Sequence, residues 1–138
     1  RMTDLHAAIG VQQMKKLPGW TERRRENAEF LSNNISSPNV VLPTVPAGYQ
    51  HVFHQYTIRV LNSRDLVSKA LSDEGIGNAV YYPTQVHKLP SFASKIDLPN
   101  TEKAINQVLS LPIHPSLKKS DLKRISSTLN RITEKYAV

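Results

Sequence analysis

Residues near the start of the chain recur at the spacing of one helical face, which comprises the apolar Leu5, Ala8 and Ile9 together with Gln12. This pattern predicts a helix over residues 2–35, with Thr3 and Asp4 at its capping position. Pro18 lies inside it, and an interior proline loses a backbone hydrogen bond and clashes with the preceding turn, at a cost of about 3 kcal/mol. We therefore expect a kink or a short break at residues 17–20, giving a helix pair or one bent helix.

The next segment alternates between apolar and polar residues, as a half-buried strand does. Over residues 52–61 the face expected to meet the core comprises Val52, His54, Tyr56, Ile58 and Val60, and the opposite face comprises Phe53, Gln55, Thr57 and Arg59. Shorter β-prone runs at residues 39–42, 77–82 and 109–111 predict further strands. Pro83 ends the second of these runs, because proline cannot donate to a central ladder.

Three further helices follow from the same kind of pattern. Ser63 is predicted to cap the second helix and Gly75 to end it in the left-handed conformation. The third is predicted to be capped by Asn100 or Thr101 and to extend to Val108, and the fourth to be capped by Ser120. The apolar faces of the second and fourth helices comprise Leu66, Ala70 and Leu71, and Leu122, Ile125, Leu129 and Ile132, respectively.

The order of these elements predicts an α+β fold, in which helices cover one side of a small antiparallel or mixed sheet. With 138 residues, the chain has the length of one domain, residues 1–138, and enough surface to bury a core. It contains no cysteine, which excludes disulfides and a cysteine nucleophile and favours a reducing, cytoplasmic environment. A run of about 18 apolar residues is absent, so the sequence predicts no membrane span.

The net charge of +7 raises the question of a nucleic acid partner. The densest basic cluster, Arg23-Arg24-Arg25, is flanked by Glu22 and Glu26, a pattern typical of a solvated helix face. Neither a known nucleic-acid module nor an aromatic stacking pattern accompanies it. We therefore interpret the arginine run as ordinary helix surface and expect no nucleic acid partner.

The histidines do not form a metal-ligand pattern. His51 and His54 are close in sequence, but residues three apart on a strand point to opposite faces. We therefore predict no metal site, and we interpret His54 as a hydrogen-bonded core residue. The sequence also lacks a glycine-rich phosphate loop and a serine nucleophile motif. These sequence patterns alone do not identify a reaction.

One loop, residues 81–90, collects polar groups at the end of a predicted strand, among them Tyr82 and His87. Phenols and imidazoles both donate and accept hydrogen bonds, which suits the orientation of a polyhydroxylated or charged ligand. The alternative is a proline-rich surface loop with tyrosines at an interface. The residues by themselves leave both interpretations open.

Three blocks along the chain form a distinctive combination. They comprise Arg1-Met2-Thr3-Asp4-Leu5-His6-Ala7-Ala8-Ile9-Gly10-Val11-Gln12 with Arg23-Arg24-Arg25 and Ala28; Gly75-Ile76-Gly77 and Val80-Tyr81-Tyr82-Pro83 with His87, Pro90 and Phe92; and Thr101-Glu102-Lys103-Ala104 with Leu109-Ser110-Leu111-Pro112-Ile113-His114-Pro115. In this order they resemble the C-terminal domain of the DegT/DnrJ/EryC1/StrS aminotransferase family. Two positions depart from the family's pattern: His6, where glutamine is usual, and Gln85-Val86, where Pro-Leu usually precedes the loop histidine.

The resemblance implies a pyridoxal-phosphate (PLP) enzyme with the aspartate-aminotransferase fold, fold type I, that is usually a homodimer. Such an enzyme transfers an amino group from glutamate or glutamine to a nucleotide-linked ketosugar. The resemblance also implies that this chain is the small domain of a longer enzyme. The Schiff-base lysine, the aromatic residue that stacks on the ring and the acid that partners the pyridine nitrogen would belong to a large domain upstream, so we assign no catalytic or cofactor-binding residue here.

By the same resemblance, Tyr82 and His87 are expected to contact the substrate. Arg1 ends a loop whose preceding asparagine reaches the neighbouring subunit's cofactor phosphate in relatives, so Arg1 is included among the expected substrate-binding residues. The start at Arg1, without an initiator methionine, favours a fragment. The competing interpretation, which follows if the natural chain begins there, is a stand-alone binding or regulatory module with basic helix faces.

Overall fold

The computed structural model describes residues 2–92 and 95–136. Its helices are α1 (Asp4–Asn34), α2 (Arg64–Asp73), α3 (Pro99–Ile105) and α4 (Lys119–Lys135), and its strands are β1 (Val40–Val41), β2 (Tyr56–Val60) and β3 (Val108–Leu111). A 3-10 turn, Val86–Lys88, lies between α2 and α3. The strands form an antiparallel sheet in the order β1-β2-β3. The predicted α+β fold with a small antiparallel sheet is confirmed.

Helices α1, α2 and α4 supply the core that covers one face of the sheet. Tyr56, Ile58 and Val60 alternate along β2 and are fully buried, and Ile58 pairs with Leu109 of β3. The helices add to this core Ala28 and Leu31, Val67 and Leu71, and Leu122, Ile125, Leu129 and Ile132. The apolar stripe predicted for the last helix is therefore its core face, and removal of this surface from water is the main source of stability.

Helix α1 is one continuous helix, so of the two outcomes predicted at Pro18 the break that would give a helix pair is wrong. The helix extends over Asp4–Asn34 with this proline inside it. The carbonyl group of Met14, which the proline leaves without its usual partner, lies in an exposed stretch where water can bind it. The predicted cap is confirmed, because Thr3 Oγ1 accepts a hydrogen bond from the backbone N–H of His6 at 3.3 Å.

The N-terminal half of α1 is exposed on every side. Its large apolar side chains that face solvent are Leu5, Ile9, Val11, Met14, Leu17 and Trp20. Burial in α1 is confined to Asn27, Ala28 and Leu31 near its other end. Although α1 has 31 residues, no helix in residues 2–92 and 95–136 has an apolar stretch long enough to cross a membrane.

Strand β2 is shorter at its start than the alternation predicts. Val52 and His54 are exposed, so His54 is not the core residue that the sequence suggested. The reason is local: Phe53 takes the left-handed conformation (φ 46°), and its N–H donates to His51 Nδ1 at 2.9 Å. A side chain that binds nearby backbone in this way competes with the sheet ladder, so the strand begins only at Tyr56.

The strand predicted at residues 77–82 is reduced to a single bridge between Ala79 and Ser110. Asn78 next to it donates through Nδ2 to the carbonyl groups of Ser68 and Ile76, both at 3.1 Å, which ties this segment to the end of α2. Tyr82 then takes the left-handed conformation (φ 60°). Both features divert the backbone from an extended path.

The remaining differences concern helix starts and faces. In α2 the buried residues are Val67 and Leu71, so Leu71 lies on the core face as predicted, whereas Leu66 is half-exposed. Helix α3 begins at Pro99, whose fixed φ suits a first helical position, rather than after Asn100. The cap of helix α4 is Lys118, two residues before the predicted Ser120, and the N–H of Lys118 donates to Asp121 Oδ2 at 2.9 Å.

Candidate functional site

The face of the sheet opposite the core is polar, and we call it the polar sheet face; it comprises Gln55, Thr57, Arg59 and Ser110. Thr57 Oγ1 lies 2.7 Å from Ser110 Oγ across the β2–β3 pair. Arg59 donates to Gln107 Oε1 from Nε at 3.0 Å and from Nη2 at 2.6 Å. Strand alternation places these side chains together, and hydrogen bonds between neighbouring elements hold them.

Two adjoining depressions lie over the polar sheet face. The larger is a cavity of about 360 Å³, and its rim includes Arg24, His54 and His114. The smaller has a volume of about 160 Å³ and is lined by Thr57, Tyr81 and Tyr82, among others. Both depressions share Gln55, Ala79, Tyr81 and Ser110. The larger one alone falls at the lower end of the range for small-molecule sites.

The wall of the larger depression is held to helix α1 by the arginine run. Arg24 Nη1 donates to the carbonyl oxygens of Phe53 (3.3 Å), His54 (3.4 Å) and Ile113 (3.5 Å). Arg25 Nε donates to the carbonyl oxygen of His51 at 3.1 Å. Arg24 and Arg25 are half-buried, so the interpretation of this run as a solvated helix face is wrong for these two residues. Their guanidinium groups donate hydrogen bonds to main-chain carbonyl oxygens instead of being fully hydrated.

Tyr82, one of the expected substrate contacts, lines the smaller depression. Its side chain is 80% exposed, and its backbone adopts the left-handed conformation at φ 60°. A bulky residue in that conformation costs of the order of 1 kcal/mol, and such strained residues cluster at functional sites. The preceding residue, Tyr81, is half-exposed and lies between the two depressions. The phenol groups therefore stand beside the polar sheet face.

His87, the second expected contact, lies in the 3-10 turn and lines neither depression. Its side chain is only 10% exposed, and its Nε2 lies 4.0 Å from Glu102 Oε1 on helix α3. Nε2 is buried and has no hydrogen-bond partner within the part of the chain that the structure describes. Lys88 Nζ lies 2.5 Å from the same oxygen. This hydrogen bond holds the pKa of the Glu102 carboxyl below its usual value.

Arg1, the third expected contact, lies outside the described residues. The sequence argument did not single out Ser110 or Glu102 as site residues. Alternation along β3 would have identified Ser110 as a partner of Thr57 on the polar sheet face. Glu102 carried no such signal, because its closeness to His87 arises only when the loop folds back on α3.

The residues at positions 2–92 and 95–136 do not form a PLP site. Such a site needs a lysine amine held in a pocket to form the covalent linkage. Every lysine in the described residues is exposed, and Lys88 and Lys69 are engaged by Glu102 (2.5 Å) and Asp73 (2.7 Å). We therefore derive no step through the cofactor from this chain. Within residues 2–92 and 95–136 there is also no group of three side chains able to bind a metal ion.

Comparison with known proteins decides the family. The family model for the DegT/DnrJ/EryC1/StrS aminotransferase family matches residues 1–130. The chain belongs to this family. The resemblance inferred from the three sequence blocks is thereby confirmed.

Relatives within the family match this chain along most of its length. It is 37% identical over 133 residues to the UDP-N-acetyl-3-dehydro-alpha-D-glucosamine 3-aminotransferase of Acidithiobacillus ferrooxidans, covering 95% of this chain and 36% of that protein. It is also 37% identical over 143 residues to a pleiotropic regulatory protein of Geobacillus stearothermophilus, covering 99% and 37%. The crystal structure of DesV from S. venezuelae in complex with a ketimine intermediate superposes with a TM-score of 0.89 and 31% identity, covering 97% and 37%. The chain thus spans little more than a third of these family members.

Proposed function

We propose that this chain is the small domain of a PLP-dependent aminotransferase that transfers an amino group from glutamate or glutamine to a nucleotide-linked ketosugar. The observation that carries the proposal is the family match over residues 1–130, combined with coverage of only 36% of a nucleotide-sugar aminotransferase. In this proposal the remaining part of the enzyme binds the cofactor. The cofactor supplies the electron sink for the transfer, and this chain supplies part of the substrate cleft.

The role assigned to this chain is to bind and orient the sugar. The polar sheet face offers hydroxyl and amide groups, and the phenol groups of Tyr81 and Tyr82 lie beside it; such groups suit a ligand with many hydroxyl groups. Tyr82 would contact the substrate from the smaller depression, with His87 on the neighbouring turn and Arg1 at the start of the chain. Water is excluded from such a cleft only when a second body closes over the sheet, which fits a site shared with a large domain.

The exposed half of α1 supports a partner for this chain. A helix that carries apolar side chains on all sides, as α1 does from Leu5 to Trp20, is stable when it is buried. We propose that the large domain of the same polypeptide and a second subunit of a homodimer cover it, in a cytoplasmic enzyme. Sedimentation of the complete enzyme at several concentrations tests the dimer, and a monomer at all of them would contradict it.

Substitutions at the expected contacts test the proposed role in the complete, PLP-loaded enzyme. Tyr82→Phe and His87→Ala should each raise the KM for the nucleotide sugar, by roughly tenfold where one oriented hydrogen bond is lost. The absorbance spectrum of the bound cofactor should not change, because neither residue is expected to touch it. Steady-state kinetics and the visible spectrum measure the two effects separately.

Tyr49→Phe provides the matched control for these variants. Tyr49 is 75% exposed, on the loop between β1 and β2 rather than beside the polar sheet face. This variant should leave the KM for the sugar unchanged. Unaltered KM values for both Tyr82→Phe and His87→Ala would overturn the substrate-binding role, whatever the activity of the enzyme.

The length of the natural polypeptide distinguishes this proposal from the alternative of a stand-alone regulatory module. The Geobacillus relative is named a pleiotropic regulatory protein, which is why this alternative is tested. The small-domain proposal predicts that an antibody against this segment detects, in the source cell, a polypeptide much heavier than 15.5 kDa. Intact-mass measurement after immunopurification gives the answer. A polypeptide of 15.5 kDa in the source cell would favour the stand-alone module instead.

A further inference from the structure

The turn that carries His87 lies beside one carboxylate of helix α3. Within the turn, the N–H of Lys88 donates to the carbonyl oxygen of Gln85 at 3.0 Å, so the backbone is locally ordered. Glu102 then approaches two consecutive side chains of the turn with the same oxygen, Oε1, at 2.5 Å from Lys88 Nζ and 4.0 Å from His87 Nε2. Two neighbouring residues of the loop thus share a single anionic partner.

The environment of the His87 ring is unusual. The side chain is nine-tenths buried, yet Nε2 has no hydrogen-bond partner within the described residues. A buried polar atom in that state normally costs free energy, and it is uncommon in native structures. Glu102 Oε1, at 4.0 Å, is too far for a hydrogen bond but close enough to act on the ring through its charge.

That charge distinguishes the two neutral forms of the imidazole. If the proton is on Nδ1, the lone pair of Nε2 lies beside a carboxylate oxygen, and the two repel each other. If the proton is on Nε2, the N–H dipole is attracted to the carboxylate, and Nδ1 becomes the acceptor of the ring. The carboxylate is available for this role across the neutral range, because its pKa is lowered by Lys88.

We propose that Glu102 is a positioning residue that selects the Nε2–H form of His87, so that Nδ1 accepts a hydrogen bond from a hydroxyl group of the sugar substrate. This inference rests on the proposed function, since it assumes that His87 contacts the sugar. It adds a specificity rule. A sugar that presents a hydroxyl donor at this position binds, and an analogue in which that hydroxyl is replaced by hydrogen or fluorine loses the contact.

The test uses the complete, PLP-loaded enzyme and a cycle of single and double variants. Glu102→Met removes the carboxylate and should raise the KM for the nucleotide sugar by roughly tenfold, with little change in kcat. Glu102→Gln has nearly the same shape but no charge, so it should raise the KM about as much as Glu102→Met does. In a His87→Asn background, Glu102→Met should have no further effect, because the residue acts through the imidazole.

Lys88→Met is the matched control. It removes the other partner of Glu102 but leaves the carboxylate beside His87, so the KM for the sugar should remain at its original value. An increase equal to that of Glu102→Met would show that the ion pair merely holds the loop, and it would overturn the inference. So would an effect of Glu102→Met that persists in the His87→Asn background.

A spectroscopic measurement gives a readout that does not depend on turnover. The ring-nitrogen chemical shifts of His87 in histidine-labelled enzyme report directly which nitrogen carries the proton. They should show the Nε2–H form in the wild-type enzyme and a mixture in Glu102→Met, and the Nδ1–H form in the wild-type enzyme would overturn the inference. If the shifts behave as expected but His87→Asn leaves the KM unchanged, the tautomer is selected but the sugar contact fails, which overturns both the contact in this inference and the proposed role of His87.

Discussion

The guanidinium group of Arg24 on α1 donates to the carbonyl oxygen of Ile113, 89 residues later in the chain, at 3.5 Å. The same Nη1 also reaches the carbonyl oxygens of Phe53 and His54. One side chain therefore joins a helix to the two segments that flank the larger depression. Because these carbonyl groups lie outside the sheet ladder, the arginine supplies the partner that secondary structure does not.

Replacement of this side chain should loosen the wall of the larger depression. Arg24→Met keeps most of the apolar length but removes the donor, and we expect the free energy of unfolding of the chain to fall by about 2 kcal/mol, the range for hydrogen bonds from charged groups. Chemical denaturation measures the loss. Lys15→Met, which removes one exposed cation from the same helix, should change stability by less than about 0.5 kcal/mol. Equal effects of the two variants would contradict the assigned role.

Pro18 should weaken the continuous helix in which it lies. Pro18→Ala restores the backbone donor and removes the clash with the preceding turn, so it should increase helix stability by up to about 3 kcal/mol. The measurement is amide hydrogen exchange at Lys15 to Thr21, which should slow by at least tenfold in the variant. Exchange that is unchanged or faster would show that the proline is accommodated by a distortion that the alanine variant retains.

Tyr56 should make stability depend on alkaline pH. Burial raises the pKa of its phenol above the ordinary value of 10.0, and the hydrogen bond with Ser32 Oγ at 2.9 Å partly offsets this. A raised folded-state pKa means that the neutral phenol stabilises the fold fully below pH 10, and that this contribution is lost as the pH rises through the folded-state pKa. Thermal unfolding between pH 8 and pH 11 should therefore show a decline.

The matched variant for this effect is Tyr56→Phe. It removes the hydroxyl group and the hydrogen bond with Ser32, so the fold should lose about 1 kcal/mol at neutral pH. The difference in stability between wild type and variant should then shrink above pH 10, because the variant has no phenol to ionise at this position. A difference that grows with pH would contradict the sign of the pKa change.

Gly75 should resist replacement for a backbone reason. Its φ is +71°, and an added Cβ would lie 3.5 Å from Arg124 Nη2, an ordinary contact. Gly75→Ala should therefore cost about 1 kcal/mol from the left-handed backbone alone. Gly10→Ala is the control, because Gly10 lies in α1 with no heavy atom within 4 Å of an added Cβ, and it should stabilise the helix by about 0.5–1 kcal/mol. Changes in the free energy of unfolding that have the same sign for both substitutions would refute this explanation.

The parts of the fold that the sequence predicted are those that depend on local repetition. The stripe from Leu122 to Ile132 on α4, the alternation around Ile58 and the left-handed stop at Gly75 each arise from neighbours within a few residues, and each is present in the structure. The blocks of family sequence were equally informative, because their order along the chain is itself a sequence property. Periodicity and order thus determined the α+β fold and the family.

Tertiary structure decided where the polar groups go. The sequence pattern around Arg24 predicted a solvated helix surface. In the structure its guanidinium group donates to carbonyl oxygens of segments that are far away in the chain. His54 was predicted to lie on the apolar face of a strand, but with the left-handed turn at Phe53 the strand begins only at Tyr56. The closeness of Glu102 to His87 depends on the path of the loop between them. Such contacts depend on distances between residues far apart in the chain, and these distances are set only when the loops close around the packed core.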